Sequence, residues 1–422
     1  MRRLLISTLA VFLLASCTQG GSGAFSEPSA SPSPVSPAKL DMEALAKIRD
    51  QLAGSLVTHT AGGHLEQSWG PGGGFTLAGP YRNIPAYLDG LDLLAAKALL
   101  APGSGGAGLQ AAVAQLAAST ATEIHDLNGP NGGAYLVLAR VAALSPPATC
   151  PSPGSPPGPD PTCQRAAFSD ALKTGWYAPD TKSYFHVGDS TTVYRPVDAI
   201  GVGAALVVAG YDEHNDDKIN AGSEIIKKEM SADFDQHFGL PYGLMTATVK
   251  GGRQPSDTNT RVVDAAGMAE MLLLAFNASR EQQYLSYARN ILEPLLEDRA
   301  GLRAHDGYVT GFDLRTSSAQ GAPLDFLATA LVLQAARHYD RDDGGRFARL
   351  EEAAAAAFLA GTTAADPTQG TAATLSGTTP SARSGLVTAV TVVALCDVIA
   401  NPPGASPPLP GIPSPPSESA TP

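Results

Sequence analysis

Two heptapeptides nearly repeat each other 66 positions apart: Arg195-Pro-Val-Asp198-Ala-Ile-Gly201 and Arg261-Val-Val-Asp264-Ala-Ala-Gly267. Each opens an apolar, alanine-rich stretch with helical spacing. A looser copy, Pro323-Leu-Asp325-Phe-Leu-Ala328, follows, and weaker starts lie near Asp89, Gly133 and Gly385. A unit too long for one helix and too short for a domain marks a repeat architecture. Six such units, each an apolar helix paired with a more polar one, predict an all-α closed ring of helical hairpins.

The ends of the chain are read separately from that ring. Arg2 and Arg3, the apolar run Leu4 to Leu14 and Leu14-Ala15-Ser16-Cys17 form an export signal. The segment resembles a bacterial lipoprotein signal, which implies lipidation of Cys17 and anchoring to the extracytoplasmic face of the cell membrane. Residues 18–39 and 401–422 are poor in large apolar side chains, so a flexible tether and a disordered Pro-rich tail are expected there. The ring is thereby confined to residues 40–400. With a formal net charge of −12, the chain lacks the basic surface that phosphate neutralisation requires, so nucleic acid is excluded as a partner. Cys150 and Cys163 flank a proline-rich loop, where an exported chain is expected to form a disulfide. Cys396 lies in an apolar stretch and reads as a buried thiol. No set of zinc ligands is left, and neither a metal nor a cofactor is expected; a monomer is.

Helical periodicity predicts helices near 41–59, 84–100, 106–125, 132–145, 164–174, 192–210, 218–238, 261–277, 279–297, 322–340, 344–360 and 383–400. They alternate between apolar helices such as 198–210 and helices with a polar face, as in 219–238 with Lys227, Lys228, Glu229 and Asp233. An inner ring wrapped by an outer ring has this alternation. Links from inner to outer helices are short, whereas the loops 60–83, 175–191, 239–260, 298–321 and 361–382 are long. In a ring of parallel hairpins the long loops share one face, and long loops in compact domains tend to be functional. Tyr177 to Phe185 reads as a β-hairpin around a Pro-Asp turn, and Gly307 to Asp313 as a second. Trp69, Tyr81, Trp176, Tyr184, Tyr194, Tyr242 and Tyr308 all map to this one rim.

Val263-Asp264-Ala-Ala-Gly-Met-Ala-Glu270 followed by Ala278-Ser-Arg-Glu-Gln-Gln-Tyr284-Leu-Ser-Tyr287, and Pro323-Leu-Asp325-Phe-Leu-Ala followed by Tyr339-Asp-Arg-Asp, carry a wider likeness. With the hairpin Tyr177–Phe185, they resemble the six-hairpin glycosidase-like, or (α/α)6-toroid, superfamily. Its members include unsaturated glucuronyl hydrolases, N-acylglucosamine 2-epimerases and endo-α-1,6-mannanases. The resemblance implies an (α/α)6 toroid and a carbohydrate or glycan ligand. No complete catalytic motif of any one member family is present. The adjacent aspartates of the mannanase type are absent from the rim loops; Asp216-Asp217 and Asp342-Asp343 belong to the opposite end.

Glycosidic hydrolysis generally uses two carboxyl groups, one protonated and one ionised. Asp198, Asp264 and Asp325 begin inner helices, and Asp306 and Asp313 lie in a polar rim loop. Asp198, Asp264 and Asp313 are the leading candidates. The competing reading is that acidic residues in a first turn stabilise the helix dipole. His186 and His305 are candidate acid/base groups of an epimerase-like reaction, or solvated loop residues. Arg195 and Arg261 either clamp an anionic sugar group or pair with the aspartates three residues on. The rim aromatics suit stacking on pyranose faces or bracing of the loops. Asp212 to Ile219 partly matches a calcium loop, but Asp217 stands where glycine is needed and Ser223 where glutamate is needed; an inter-helix turn accounts for it. The expected protein is a lipid-anchored glycoside-hydrolase-like enzyme. A non-catalytic glycan-binding lipoprotein and an envelope scaffold are its alternatives.

Overall fold

Helices with two different burial patterns alternate along the chain. In a computed structural model the described residues are 40–61, 64–66, 68–69, 98, 161–298, 300–304, 307–321, 324–343, 351–352, 354–356, 358–359, 366–376, 379–380 and 382–400. They belong to the unit Lys39–Pro422. Cys17, the tether, the tail, Tyr81, Cys150, His305, Asp306 and the helices expected near 106–125 and 132–145 lie outside them, as does the Cys163 side chain. Of the helix expected near 84–100, only Ala98 is described, and it is helical.

The outer helices are α1 (Met42–Thr58), α2 (Pro161–Trp176), α4 (Asp216–Ala232) and α6 (Gln282–Leu296), with helical residues between 351 and 359. The inner helices are α3 (Pro196–Glu213), α5 (Val262–Ser279), α7 (Phe326–Asp343) and α8 (Gly385–Ala400). α6 shows the outer logic: Tyr284, Ala288, Ile291, Leu292 and Leu295 are buried at three- and four-residue spacing. α5 is buried on nearly every side; it is long and apolar enough to cross a membrane, yet 78% of it is buried inside the protein, as in a core helix. The inner helices pack side by side in the order α3, α5, α7, α8, while α4 packs on α3 and α6 on α5. The ends of the ring meet. α1 packs on α8, and the strand Arg383–Ser384 pairs with Ser68–Trp69. The fold is an (α/α)6 toroid.

Helix termini follow local chemistry. Asn215 caps α4 by accepting from Lys218 N at 3.2 Å, and His214 just before it is left-handed (φ 53°) at the end of α3. The same turn accounts for the acidic segment 212–219. Asp212 pairs with Arg165, Glu213 with Lys218, and Asp217 with Lys173 at 3.5 Å.

Each described inner helix is preceded by a strand: Thr191–Tyr194, Asn259–Arg261, Leu324–Asp325 and Arg383–Ser384. This corrects the helices expected from 192 and 322. Thr-Thr-Val-Tyr194 is a β-branched run that pairs with Leu244–Thr248, and the helix begins at Pro196 because proline suits a first helical position. The hairpin Tyr177–Ala178 with Ser183–Tyr184 forms as expected. The one expected within 307–313 does not: Gly307–Tyr308 pairs back to Arg303–Ala304, and Gly311–Asp313 lies between Ser318–Gln320 and Asn259–Arg261.

Two packing features generate tests. Gly203 and Gly222 bring α3 and α4 into backbone contact; a Cβ on Gly222 would lie 2.5 Å from Gly203 O and 2.9 Å from Val207 N. Gly222→Ala is therefore expected to cost about 1–3 kcal/mol of stability. Gly54→Ala on α1, where a Cβ meets nothing within 4 Å, should gain about 0.5–1 kcal/mol. Urea midpoints that shift in the same direction for both would contradict the contact.

The second feature is His338 of α7. Its Nδ1 lies 2.7 Å from both oxygens of Glu270 on α5, and its Nε2 lies 3.4 Å from Asp397 Oδ2 on α8. Two carboxylates facing one imidazole favour its charged form. Burial opposes that charge, but the two carboxylates outweigh it and hold the pKa above 6.5. A raised folded-state pKa contributes stability below the unfolded value and loses it as pH climbs through the folded one. The difference in unfolding free energy between wild type and His338→Gln should be widest below pH 6.5 and close at higher pH; a pH-independent difference would contradict the charge.

Candidate functional site

The repeated heptapeptides place equivalent groups at the starts of two neighbouring inner helices. Arg195 and Arg261 are the N-cap residues of α3 and α5, both extended (φ −91°, ψ 138° and φ −107°, ψ 130°), and neither caps its helix through its side chain. Asp198 and Asp264 follow in the first turns. Arg195 grips Asp198 in a fork, Nε to Oδ2 at 3.0 Å and Nη2 to Oδ1 at 2.8 Å. Its Nη1 lies 4.0 Å from Asp264 Oδ1. One guanidinium thus stands between carboxylates of two hairpins.

The two aspartates differ. The Asp264 side chain is 9% exposed and its Oδ1 is buried without a hydrogen-bond partner. Burial raises its pKa, the charges of Arg261 and Arg195 pull it down, and Asp198 adds to the rise. The Asp198 side chain is 33% exposed. Burial raises its pKa too, against the charge and hydrogen bonds of Arg195. Two carboxyls near one guanidinium, one sheltered and one more open, can divide acid and base roles.

Tyr184 joins this group. Its phenol is held well above its ordinary pKa by burial and then by the charges of Asp198 and Glu229. Trp176, at the end of α2, is half-buried and stacks on Tyr184 with ring centres 5.0 Å apart. His186 sits 4.7 Å from Trp176 and 3.1 Å from Asp189. Arg261 is exposed beside Asp264. The structure therefore brings together Arg195, Asp198, Asp264, Arg261 and Tyr184, with Trp176 and His186 adjoining.

Other sequence candidates are set in structural roles. Asp313 accepts from Thr258 Oγ1 at 2.9 Å, Arg315 N at 2.9 Å and Thr316 Oγ1 at 2.8 Å. The Thr316 and Arg315 hydrogen bonds hold its pKa below the ordinary range, so it fastens a turn in ionised form. Asp325 caps α7 by accepting from Ala328 N at 3.0 Å. Tyr308 is 1% exposed and donates to Leu295 O, while Trp69 is buried, stacked on His59 and bonded to Gln369 O. Tyr194 is buried and bonded to Glu229 and Asp233. These aromatics brace loops instead of offering a face to a sugar. Tyr242 is half-buried, with its backbone N–H on Asp233 O.

Sequence reasoning missed the partners of Tyr194. Glu229 and Asp233 look like part of a solvated helix face, yet both are fully buried beneath Arg253. Their four-residue spacing was the available signal. Among the described residues no group of three or more His, Cys, Asp or Glu is arranged to hold a metal ion.

No protein-family model and no curated protein matches the chain by sequence. Solved structures do match. An unsaturated glucuronyl hydrolase specific for heparin superposes with TM-score 0.63 at 12% identity, covering 84% of this chain and 96% of its own. The unsaturated glucuronyl hydrolase of Bacillus sp. GL1, responsible for glycosaminoglycan degradation, gives TM-score 0.60 at 14% identity over 86% and 97%. An inactive α-1,6-mannanase of Salegentibacter sp. HEL1_6, with two adjacent aspartates replaced and α-1,6-mannotriose bound, gives TM-score 0.56 at 14% identity over 84% and 99%. The chain shares the six-hairpin glycosidase-like fold of these proteins.

Proposed function

We propose that this protein is an envelope lipoprotein that hydrolyses a glycan, with Asp264 as proton donor and Asp198 as its ionised partner. The observation that carries the reading is the shared Arg195, forked to Asp198 and 4.0 Å from Asp264. A glycosidic bond needs a protonated carboxyl at the leaving oxygen and a carboxylate on the other side. Asp264, sheltered and with a raised pKa, is suited to keeping a proton. Burial raises the Asp198 pKa as well, but the Arg195 fork opposes that rise, and the more open side chain suits Asp198 to the ionised role. Trp176, backed by Tyr184, supplies an aromatic surface beside the carboxyls, and exposed Arg261 is placed to bond sugar hydroxyls. The carbohydrate-acting proteins that share the fold support the substrate class.

One observation favours a second reading, glycan binding without turnover. The Arg195 fork occupies both oxygens of Asp198, which weakens it as a base or nucleophile. A reducing-sugar screen of the chain over a glycan panel, run beside calorimetric binding, separates the two. On the hydrolase reading, Asp264→Asn and Asp198→Asn each lower kcat about 100-fold or more while binding persists. The wild-type rate should also fall as pH rises through the raised pKa of Asp264. Binding without product would leave the second reading, and neither binding nor product would leave a scaffold.

Export and anchoring belong to the same proposal, supported by Arg2, Arg3, the run to Leu14 and Cys17. Labelled palmitate should enter the wild type and not Cys17→Ser in a bacterial host. An unlabelled wild type would contradict the anchor.

A further inference from the structure

Behind the candidate site lies a buried knot of charge that takes no part in the proposed reaction. Arg253, from the strand Arg253–Asp257, runs inward against Glu229 of α4 and the C-cap residue Asp233, both fully buried. Its Nη2 donates to Glu229 Oε1 at 2.7 Å and to Tyr184 O at 3.3 Å. Its Nη1 donates to Tyr194 Oη at 2.7 Å and to Asp233 Oδ1 at 3.2 Å, and pairs with Glu229 Oε2. The Tyr194 oxygen in turn touches Glu229 Oε2 and Asp233 Oδ2, each at 2.9 Å.

Counting protons fixes the charge of this knot. A phenol has one hydrogen to give and two lone pairs to offer. The guanidinium takes one lone pair and the phenol hydrogen goes to one carboxylate. The other carboxyl can then bond the same oxygen only by donating. One proton is therefore held by the Glu229–Asp233 pair, in keeping with the raised pKa of Asp233, which burial and then Glu229 impose. The knot is neutral: a guanidinium, a carboxylate, a carboxylic acid and a phenol.

What it holds is the segment that delivers Arg195. Tyr194 ends the strand Thr191–Tyr194, in register with Met245, and the next residue is the N-cap of α3. We propose that Arg253 and Tyr194 are positioning residues for the Arg195–Asp198–Asp264 site, fixing where the Arg195 guanidinium enters between the two carboxylates. The proposal rests on the reading of that site as catalytic. The Arg195–Asp198 fork is local, three residues apart, and follows its own backbone through a small shift. The 4.0 Å approach to Asp264 joins two hairpins and depends on the strand being held. Arg195 draws the Asp264 pKa down, so loosening the strand lets that pKa rise. A buried ion cluster is a poor source of stability compared with apolar packing; here it fixes register.

Tyr194→Phe in the full-length chain removes the phenol bonds while keeping the ring. The Asp264 carboxyl is followed by carbon-13 NMR titration, alongside kcat and KM on the glycan found by screening. The expected result is a folded variant whose Asp264 titrates at higher pH, with kcat about tenfold lower and KM within about twofold. An Asp264 titration that does not move in folded protein would overturn the proposal. If Tyr194→Phe does not fold, Arg253→Lys, which keeps the charge but loses the fork, is titrated and assayed in its place, and the same two results support or overturn the proposal. A wild type that turns over no glycan would sink the catalytic reading alone, because the titration still decides whether Asp264 feels the knot.

Discussion

Arg195 is forked to Asp198 on its own helix and reaches towards Asp264 on the next. That arrangement needs two things to hold together. α3 and α5 must lie side by side, and the strand Thr191–Tyr194 must stop where it does. Apolar, almost wholly buried stretches of α3 and α5 supply the first condition. Tyr194, locked beneath Arg253, supplies the second.

Much of the scaffold was legible in the sequence because its signal is local and repeated. The heptapeptides at Arg195 and Arg261 fall on equivalent helix starts, and the alternation of apolar and polar helices maps onto inner and outer positions. The strands ahead of the inner helices were not legible. Leu324–Asp325 pairs with Thr374–Ser376, and Arg383–Ser384 with Ser68–Trp69, so partners distant in sequence define two-residue elements. Helical periodicity has no means of registering such pairs.

The candidate site was half legible, and the misses have one cause. Asp198, Asp264, Arg195 and Arg261 stand out because a repeat exposes them. Whether an aromatic ring faces solvent or the interior depends on tertiary packing. Trp69, Tyr194 and Tyr308 are therefore indistinguishable in sequence from a surface platform, yet all three are buried. Glu229 and Asp233 mislead in the opposite sense: charged residues on an outer helix look solvated until an arginine from a distant strand covers them. Burial of charge becomes visible only once its partner is known.

A fold shared at 12–14% identity supplies a frame, and function lives in the groups mounted on it. The central claim is that Asp198 and Asp264 form one electrostatic unit around Arg195. Carbon-13 NMR titration of Asp264 in the wild type and in Asp198→Asn tests it directly. The account predicts that Asp264 titrates above 3.8 in the wild type and moves down in the variant, because a repelling charge is gone and Arg195 is released towards it. An Asp264 that titrates at its ordinary value and ignores the substitution would contradict it.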